Sequence, residues 1–427
     1  MSLITLSCAD DNSNVTGSND DTPPAAITDL STGNPTGSSV TLDWTAPGDD
    51  NNLGKAKVYD IRYATFMITG NNFASATQVS NVPSPKVVGE SESFLVAGLA
   101  SNTIYYFAIR TADEVPNWSG LSNIDSTTTL LSGSWLVYNT ANSGLPSDII
   151  YDIAISGANK YFGTAAGMAL FDGTDWSVYD TSISNIVGNH VNTVTATVSG
   201  QDIWIGTQNN GANLFDGSSF VNYTESTTGL SINSVRSIAT MEVDNIWIGT
   251  GNAGLFQLQN SIWTNYNFSS GDLSSNSIST LSFDSTGNLW IGYSFGGASK
   301  FDGNNFIHYS TSDGLASNAV WAIFSDNNNI WFGTNNGVSV FNGVNWITYN
   351  TVNSSLVDDV VISVAVDLSG NKWFGTRFGL SRFDGSNWIT YTTENSGLPD
   401  NFINAIEIDM VGNLWLGTNN GAAIYTE

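Results

Sequence analysis

From Trp135 to Glu427 the chain breaks into apolar-rich runs of four to seven residues, separated by Gly, Asn, Asp and Ser. Such runs read as short strands joined by tight turns. One phrase punctuates them seven times: Tyr161-Phe162-Gly163-Thr164, Trp204-Ile205-Gly206-Thr207, Trp247-Ile248-Gly249-Thr250, Trp290-Ile291-Gly292-Tyr293, Trp331-Phe332-Gly333-Thr334, Trp373-Phe374-Gly375-Thr376 and Trp415-Leu416-Gly417-Thr418. Its glycines step by 43, 43, 43, 41, 42 and 42 residues. A fixed period in the low forties, with about four strands per period, predicts a β-propeller.

The sixth repeat shows how one blade is written. Val360 to Val366 predicts a buried first strand, and the Asp367–Asn371 turn follows it. Lys372–Thr376 predicts the second strand, Leu380–Phe383 the third and, after the Asp384–Asn387 turn, Trp388–Tyr391 the fourth. A blade cannot bury both faces alone, so neighbours must stack on it. The aromatic column of the repeated phrase supplies the large wedges, each burying roughly 200 Å², or on the order of 5 kcal/mol gross. The glycine beside it marks close backbone approach.

A second pattern, aromatic-x-x-Tyr, also occurs seven times: Trp135/Tyr138, Trp176/Tyr179, Phe220/Tyr223, Trp263/Tyr266, Phe306/Tyr309, Trp346/Tyr349 and Trp388/Tyr391. Its first copy precedes any W-x-G-T phrase, and no copy follows the last phrase. Ser134–Asn139 is therefore expected to add the outer strand to the blade begun by Asn404–Tyr425. The prediction is an all-β chain whose residues 134–427 form a seven-bladed propeller with three-plus-one strand closure.

The strings "GLPDNFINAIEIDMVGNLWLGTNNG" and "SVAVDLSGNKWFGTRFGLSRFDGSNWITY" resemble the two-component regulator propeller repeat, over nearly all of residues 134–427. That family is best known in periplasmic sensor regions of bacterial hybrid histidine kinases. The resemblance implies the propeller fold and a sensing or binding role. No transducer or kinase sequence follows the repeats here, which argues against signalling in cis.

Residues 22–129 carry a different alternation, in Ile27–Leu30, Val40–Trp44, Tyr59–Tyr63, Phe94–Val96 and Thr103–Arg110, with Ser122-Asn123 near the end. About seven short strands predict a sandwich. Trp44 as core tryptophan and Leu99-x-x-x-Thr103-x-Tyr105 as a tyrosine corner resemble a fibronectin type III domain, with Ser101 where that corner usually has proline. This domain is expected to serve as a spacer or docking module. Leu130–Gly133 is a short link.

Residues 1–21 form the remaining segment. Leu3-Ile4-Thr5-Leu6-Ser7-Cys8, followed by acidic residues, resembles the end of a bacterial lipoprotein signal of the Bacteroidetes surface-export type. That implies lipidation at Cys8 and a location on the outer membrane, at the cell surface or in the periplasm. A basic n-region is missing and the apolar stretch is short. Cys8 is the only cysteine, so no intrachain disulfide forms. Asn12–Asp21 reads as a polar linker.

Charge narrows the partners. Thirty-eight acidic against 11 basic residues give −27, which excludes nucleic acid, whose phosphates demand a basic footprint. It equally disfavours docking on anionic lipid, leaving a lipid anchor as the membrane contact. No run reaches the ~20 apolar residues of a membrane span. The expected partner is a glycan, peptide or envelope protein, and the protein is expected to be a monomer.

Catalytic material is sparse. His308 lies inside an aromatic-x-x-Tyr strand, a structural place, and His190 lies in an inter-blade loop. No Ser/His/Asp arrangement, zinc spacing or phosphate loop is present. No catalytic residue and no cofactor are assigned, although Asp49-Asp50-Asn51-Asn52 could hold Ca²⁺. One enzymatic alternative is a seven-bladed lyase resembling the streptogramin lyases, which use histidine with a metal, but their His/Glu pairing is not evident here. A second alternative is a sensor module acting in trans.

Differences between repeats mark the candidate site. Along the first strands, Ile150, Val191, Val235, Ile278, Val320, Val361 and Ile403 form an apolar column. Ile153, Val194, Ile238, Leu281, Ile323, Val364 and Ile406 form another, preceded by a small-residue column from Asp152 to Ala405. The column at Tyr151, Asn192, Arg236, Ser279, Trp321, Ile362 and Asn404 follows no packing rule, so it is expected to line the channel mouth. Loops between second and third strands should reach the same face, with Phe295, Arg377 and Phe378 at otherwise Asn/Gly positions. The expected ligand-binding residues are Tyr151, Arg236, Trp321, Phe295, Arg377 and Phe378.

Overall fold

A computed structural model describes residues 21–242, 244–326 and 329–427. Cys8 and its lipoprotein reading lie outside the described residues. The chain divides into two compact units that meet in sequence at Ser132/Gly133.

In the first unit, one sheet orders Ser31–Gly33, Ser39–Thr45 and Ser91–Ala97, and the other orders Thr77–Gln78, Val58–Ala64, Ile104–Ala112 and Asp125–Thr128. Between them Val40, Leu42, Trp44, Tyr59, Ile61, Phe107 and Ile109 are buried. Trp44 meets Tyr59 edge-on at 5.2 Å. The tyrosine corner is formed, with the Ala100 N–H donating to Tyr105 Oη at 3.0 Å. Ile27–Leu30 is not a strand. Ile27 and Leu30 are buried as their alternation requires, but the Asn123 side chain takes up Leu30's backbone, receiving from Leu30 N at 2.9 Å and donating to Leu30 O at 2.8 Å. An amide side chain thus replaces a ladder neighbour.

In the second unit the described residues form seven four-stranded antiparallel sheets, numbered here as blades 1 to 7. Their innermost strands are Ile150–Ser156, Val191–Ala196, Val235–Glu242, Ile278–Phe283, Val320–Asp326, Val361–Val366 and Ile403–Ile408. In blade 6 the other strands are Lys372–Thr376, Leu380–Phe383 and Trp388–Tyr391, and the turn at Gly370 uses a φ of 84°. In blade 7 the sheet is completed by Leu414–Thr418, Gly421–Thr426 and Ser134–Tyr138, with Trp135 opposite Tyr425 and Tyr138 opposite Ala422.

Two contacts repeat around the unit. The glycine of each W-x-G-T phrase faces the first residue of the next blade. A Cβ on Gly249 would stand 2.6 Å from Ile278 Cγ2, and one on Gly417 would stand 2.9 Å from Ile150 Cγ2. Real Cβ atoms do not approach so closely, so glycine is required there. Farther out, the tyrosine of each fourth strand packs on the next blade's aromatics. Tyr309 meets Trp346 at 5.7 Å, Tyr391 meets Trp135 at 5.9 Å, and Tyr138 meets Trp176 at 5.3 Å. The Trp column of the phrase is buried throughout.

Candidate functional site

Each innermost strand begins with the same defect. In blade 6 Val361 pairs with Thr376 and Ser363 with Gly375, so Ile362 is skipped. The skip recurs at Tyr151, Asn192, Arg236, Ser279, Trp321 and Asn404. These are β-bulges, in which one residue is left out of the ladder and its side chain is aimed away from the regular pleat. All seven bulged residues line one cavity of about 560 Å³ along the central axis. The irregular column in the sequence is the bulge column, and packing does not fix its residue type.

The seven side chains differ in what holds them. Asn192 donates to Val235 O at 2.8 Å, Asn404 donates to Ile150 O at 2.8 Å, and Ser279 donates to Val320 O, each reaching the first residue of the next blade. Those three stitch the seam. Tyr151 instead stacks on His190, with ring centroids 4.6 Å apart, and burial pushes its phenol pKa up. Trp321 donates from Nε1 to Asn335 Oδ1 at 2.7 Å. Arg236 is exposed and lies over Gly251, where a Cβ would stand 2.9 Å from its Nε. No ion pair involves Arg236 among the described residues.

Asn335, Asn419 and Gly251 belong to loops between second and third strands. The contacts of Trp321 with Asn335, of Asn404 with Asn419 (3.0 Å) and of Arg236 with Gly251 put those loops at the same mouth. Phe295, Arg377 and Phe378 do not line the cavity. Phe295 and Phe378 are 76% and 60% exposed. Arg377 is engaged locally, with Nε 3.2 Å from Asp358 Oδ2 and its guanidinium 5.6 Å from the Phe378 ring. The structure therefore brings Tyr151, Arg236 and Trp321 together around one cavity and leaves the other three on second-to-third-strand loops outside its lining.

Sequence reasoning did not select three further groups in or beside the channel. His190 does not line the cavity itself but stacks on Tyr151, which does. Burial lowers its pKa. Asp152, in the small-residue column, accepts from Val194 N at 2.9 Å and Ile153 N at 3.0 Å. Burial raises its pKa to about 6 against those hydrogen bonds. Glu407 stands where the other blades carry Ala154, Thr195, Ala239, Ser282, Phe324 and Ala365. It lines the channel, and its side chain is exposed to the water there. The loss of bulk solvent between the enclosing blades first, and the neighbouring Asp152 charge second, raise its pKa to about 8. Its signal was legible, since no other residue of its column is charged.

His308 is occupied by packing. Its Nδ1 lies 2.7 Å from Ser299 Oγ, which lies 2.9 Å from the buried Tyr293 hydroxyl. That tyrosine stands where six repeats have threonine. In the first unit, the Asp49–Asn52 loop is a tight turn with Asn51 at φ 53°. Among the described residues no group of three or more His, Cys, Asp or Glu is placed to hold a metal ion, and no helix is long and apolar enough to cross a membrane.

Comparison with known proteins gives two kinds of likeness. The fibronectin type III domain profile matches residues 23–122, and the two component regulator propeller profile matches residues 272–295, 314–336 and 397–420. Calcium-activated chloride channel regulator 1 of Homo sapiens is 36% identical over 108 residues, 24% of this chain but 12% of that protein. Among solved structures, the extracellular domain of a hybrid two component system from B. thetaiotaomicron aligns with a TM-score of 0.61 at 18% identity, over 93% of this chain and 51% of that one. PorZ, a surface component of the type-IX secretion system of Porphyromonas gingivalis, gives 0.55 at 16%, over 92% and 62%. A streptogramin B lyase gives 0.56 at 14%, over 69% and 97%. At such identities these structures share the fold, and fold alone does not carry function. This all-β chain thus comprises a fibronectin type III domain, with residues 23–122 matching that profile, followed by a β-propeller in which three stretches match the two component regulator propeller profile.

Proposed function

We propose that this protein is a non-enzymatic, extracytoplasmic binding protein whose propeller mouth recognises a glycan, peptide or protein partner. One observation carries the reading. Of the seven bulged residues at the mouth, Tyr151, Arg236 and Trp321 are large, differ from one another and do not stitch the seam, and they surround a cavity of ligand size. Aromatic rings beside an unpaired arginine suit a polar or anionic ligand with flat or apolar faces. Placement outside the cytoplasm draws support from the extracellular relatives that share the fold, and the tether proposed for it is a lipid on Cys8.

The test is a thermal-shift screen of the whole chain against glycans, peptides, nucleotides and divalent cations. A ligand that binds the native state alone raises stability by RT ln(1 + [L]/Kd). The expected result is a hit that weakens at least tenfold in Arg236→Ala plus Trp321→Ala. A hit with unchanged affinity in that double variant would remove the mouth from consideration. A second reading, a sensor module that passes the binding signal to a partner in trans, is favoured by the hybrid two component relative. It predicts that the same ligand changes capture of a kinase from envelope extracts.

A further inference from the structure

Charge is not spread evenly along the channel. At the mouth stands Arg236, a cation with no acidic partner among the described residues. Deeper stand two carboxyl groups, Asp152 and Glu407, which line the same cavity. Glu407 is three residues further along its strand than Asn404 of the mouth, roughly 10 Å at ~3.3 Å per residue.

The two carboxyls are not equivalent. Asp152 is fixed by the Val194 and Ile153 N–H groups. Glu407 is offered the Ile408 N–H and faces Asp152 of like charge. The other charged or titratable groups near this stretch of channel are accounted for. Lys160 lies 5.1 Å from the Trp415 ring and donates to Ala158 O. Tyr151 and His190 stack on each other at the mouth. Two carboxyl groups lining one channel side by side favour a proton or a cation on Glu407.

We propose, resting on the mouth being the binding site, that the ligand is a peptide-like dipolar molecule. Its ammonium group enters the channel to meet Glu407, and its carboxylate is held at Arg236. The order of charges sets this direction, since the reverse orientation would put carboxylate against carboxylate and ammonium against guanidinium. Tyr151 and Trp321 supply the walls, and the ring of Asn192, Ser279 and Asn404 remains bound to the seam. A neutral glycan would engage neither charge and would leave Glu407 holding its proton.

The experiment uses the full chain with 6-aminohexanoate as probe, and hexanoate and hexylamine as controls, titrated calorimetrically from pH 6 to pH 9. The probe's amine stays charged across this range, with a pKa of about 10.4 as in lysine. Glu407, with a pKa of about 8 in the empty channel, must lose its proton to receive that amine. Apparent affinity scales with the competent fraction, so it should rise with pH by roughly ten- to a hundredfold. Glu407→Gln should flatten that rise and weaken binding at pH 9 by at least tenfold. If that variant misfolds, Glu407→Ser repeats the test with the residue that blade 4 carries as Ser282. Arg236→Ala should weaken binding and leave the rise intact.

Hexanoate binding as well as 6-aminohexanoate, and lost in Arg236→Ala, would overturn the dipolar inference and leave the mouth as the site. No binding of the probe, or an unchanged pH profile in both Glu407 variants, would also overturn it. The double variant at the mouth then decides the broader reading separately.

Discussion

At the scale of single residues, the propeller rests on where side chains are absent. The glycine column of W-x-G-T lets the first residue of each neighbouring blade approach the sheet face. Gly417→Val would drive a branched side chain into Ile150, and overpacking of that kind costs about 1–3 kcal/mol. A urea titration should therefore show a lower midpoint with an unchanged slope. An unaltered midpoint would mean that the seam yields freely. The glycine was legible in the sequence because it repeats and because its neighbours are large. The bulge beside it was not, because a bulge is a fact of pairing between strands. What the sequence did show was its consequence, a column from Tyr151 to Asn404 that follows no packing rule. Glu407 and His190 escaped selection for another reason: the glutamate, a lone charge in its column, gains meaning only when Asp152 is seen beside it, and the histidine only when Tyr151 of the neighbouring blade is seen stacked on it.

At the scale of elements, the strands of blades 4, 6 and 7 are tied to their turns by one aspartate each. Asp284, Asp367 and Asp409 open the first hairpin, and each accepts from the indole of the next strand, Trp290, Trp373 or Trp415, at 2.9, 2.8 and 3.1 Å. Burial works against the charge of Asp284. Hydrogen bonds from Asn288, Thr286 and Trp290 outweigh it and hold the pKa at about 2. A carboxylate whose pKa lies below its unfolded value of about 3.9 stabilises the fold above that pH and loses its contribution as pH falls towards 2. Asp284→Ala should melt below the native protein at pH 7, and the gap should narrow between pH 4 and pH 2. A constant gap would assign the effect to packing. Strand positions in blade 6 agreed with the alternation almost residue for residue, because in each strand turn chemistry and burial point the same way. Ile27–Leu30 went astray because alternation reports burial, and the Asn123 side chain there replaces the ladder.

At the scale of the whole molecule, residues 134–138 and 421–426 lie nearly a full unit apart in sequence and share one sheet. Around that pairing Trp135 meets Tyr425 at 4.8 Å, Tyr425 meets Tyr391 at 5.4 Å, and Arg382 reaches Glu427 at 2.7 Å. Removing Ala422–Glu427 is expected to separate blade 7 from its outer strand and abolish a single cooperative melt, as followed by calorimetry. A melt that kept its midpoint and sharpness would show that the remaining seams suffice. Joining the two ends of a long segment also delays folding, because the closing contacts are non-local.

The bulges carry a consequence for change over time. Backbone pairing on either side of each bulge is indifferent to the side chain that is skipped, so substitutions at those places leave the ladder untouched. Three of the seven have become stitches, and four, Tyr151, Arg236, Trp321 and Ile362, remain open to replacement. A lineage can therefore trade one ligand for another by exchanging a few residues around a fixed ring, and an experimenter building a library would begin with the same four.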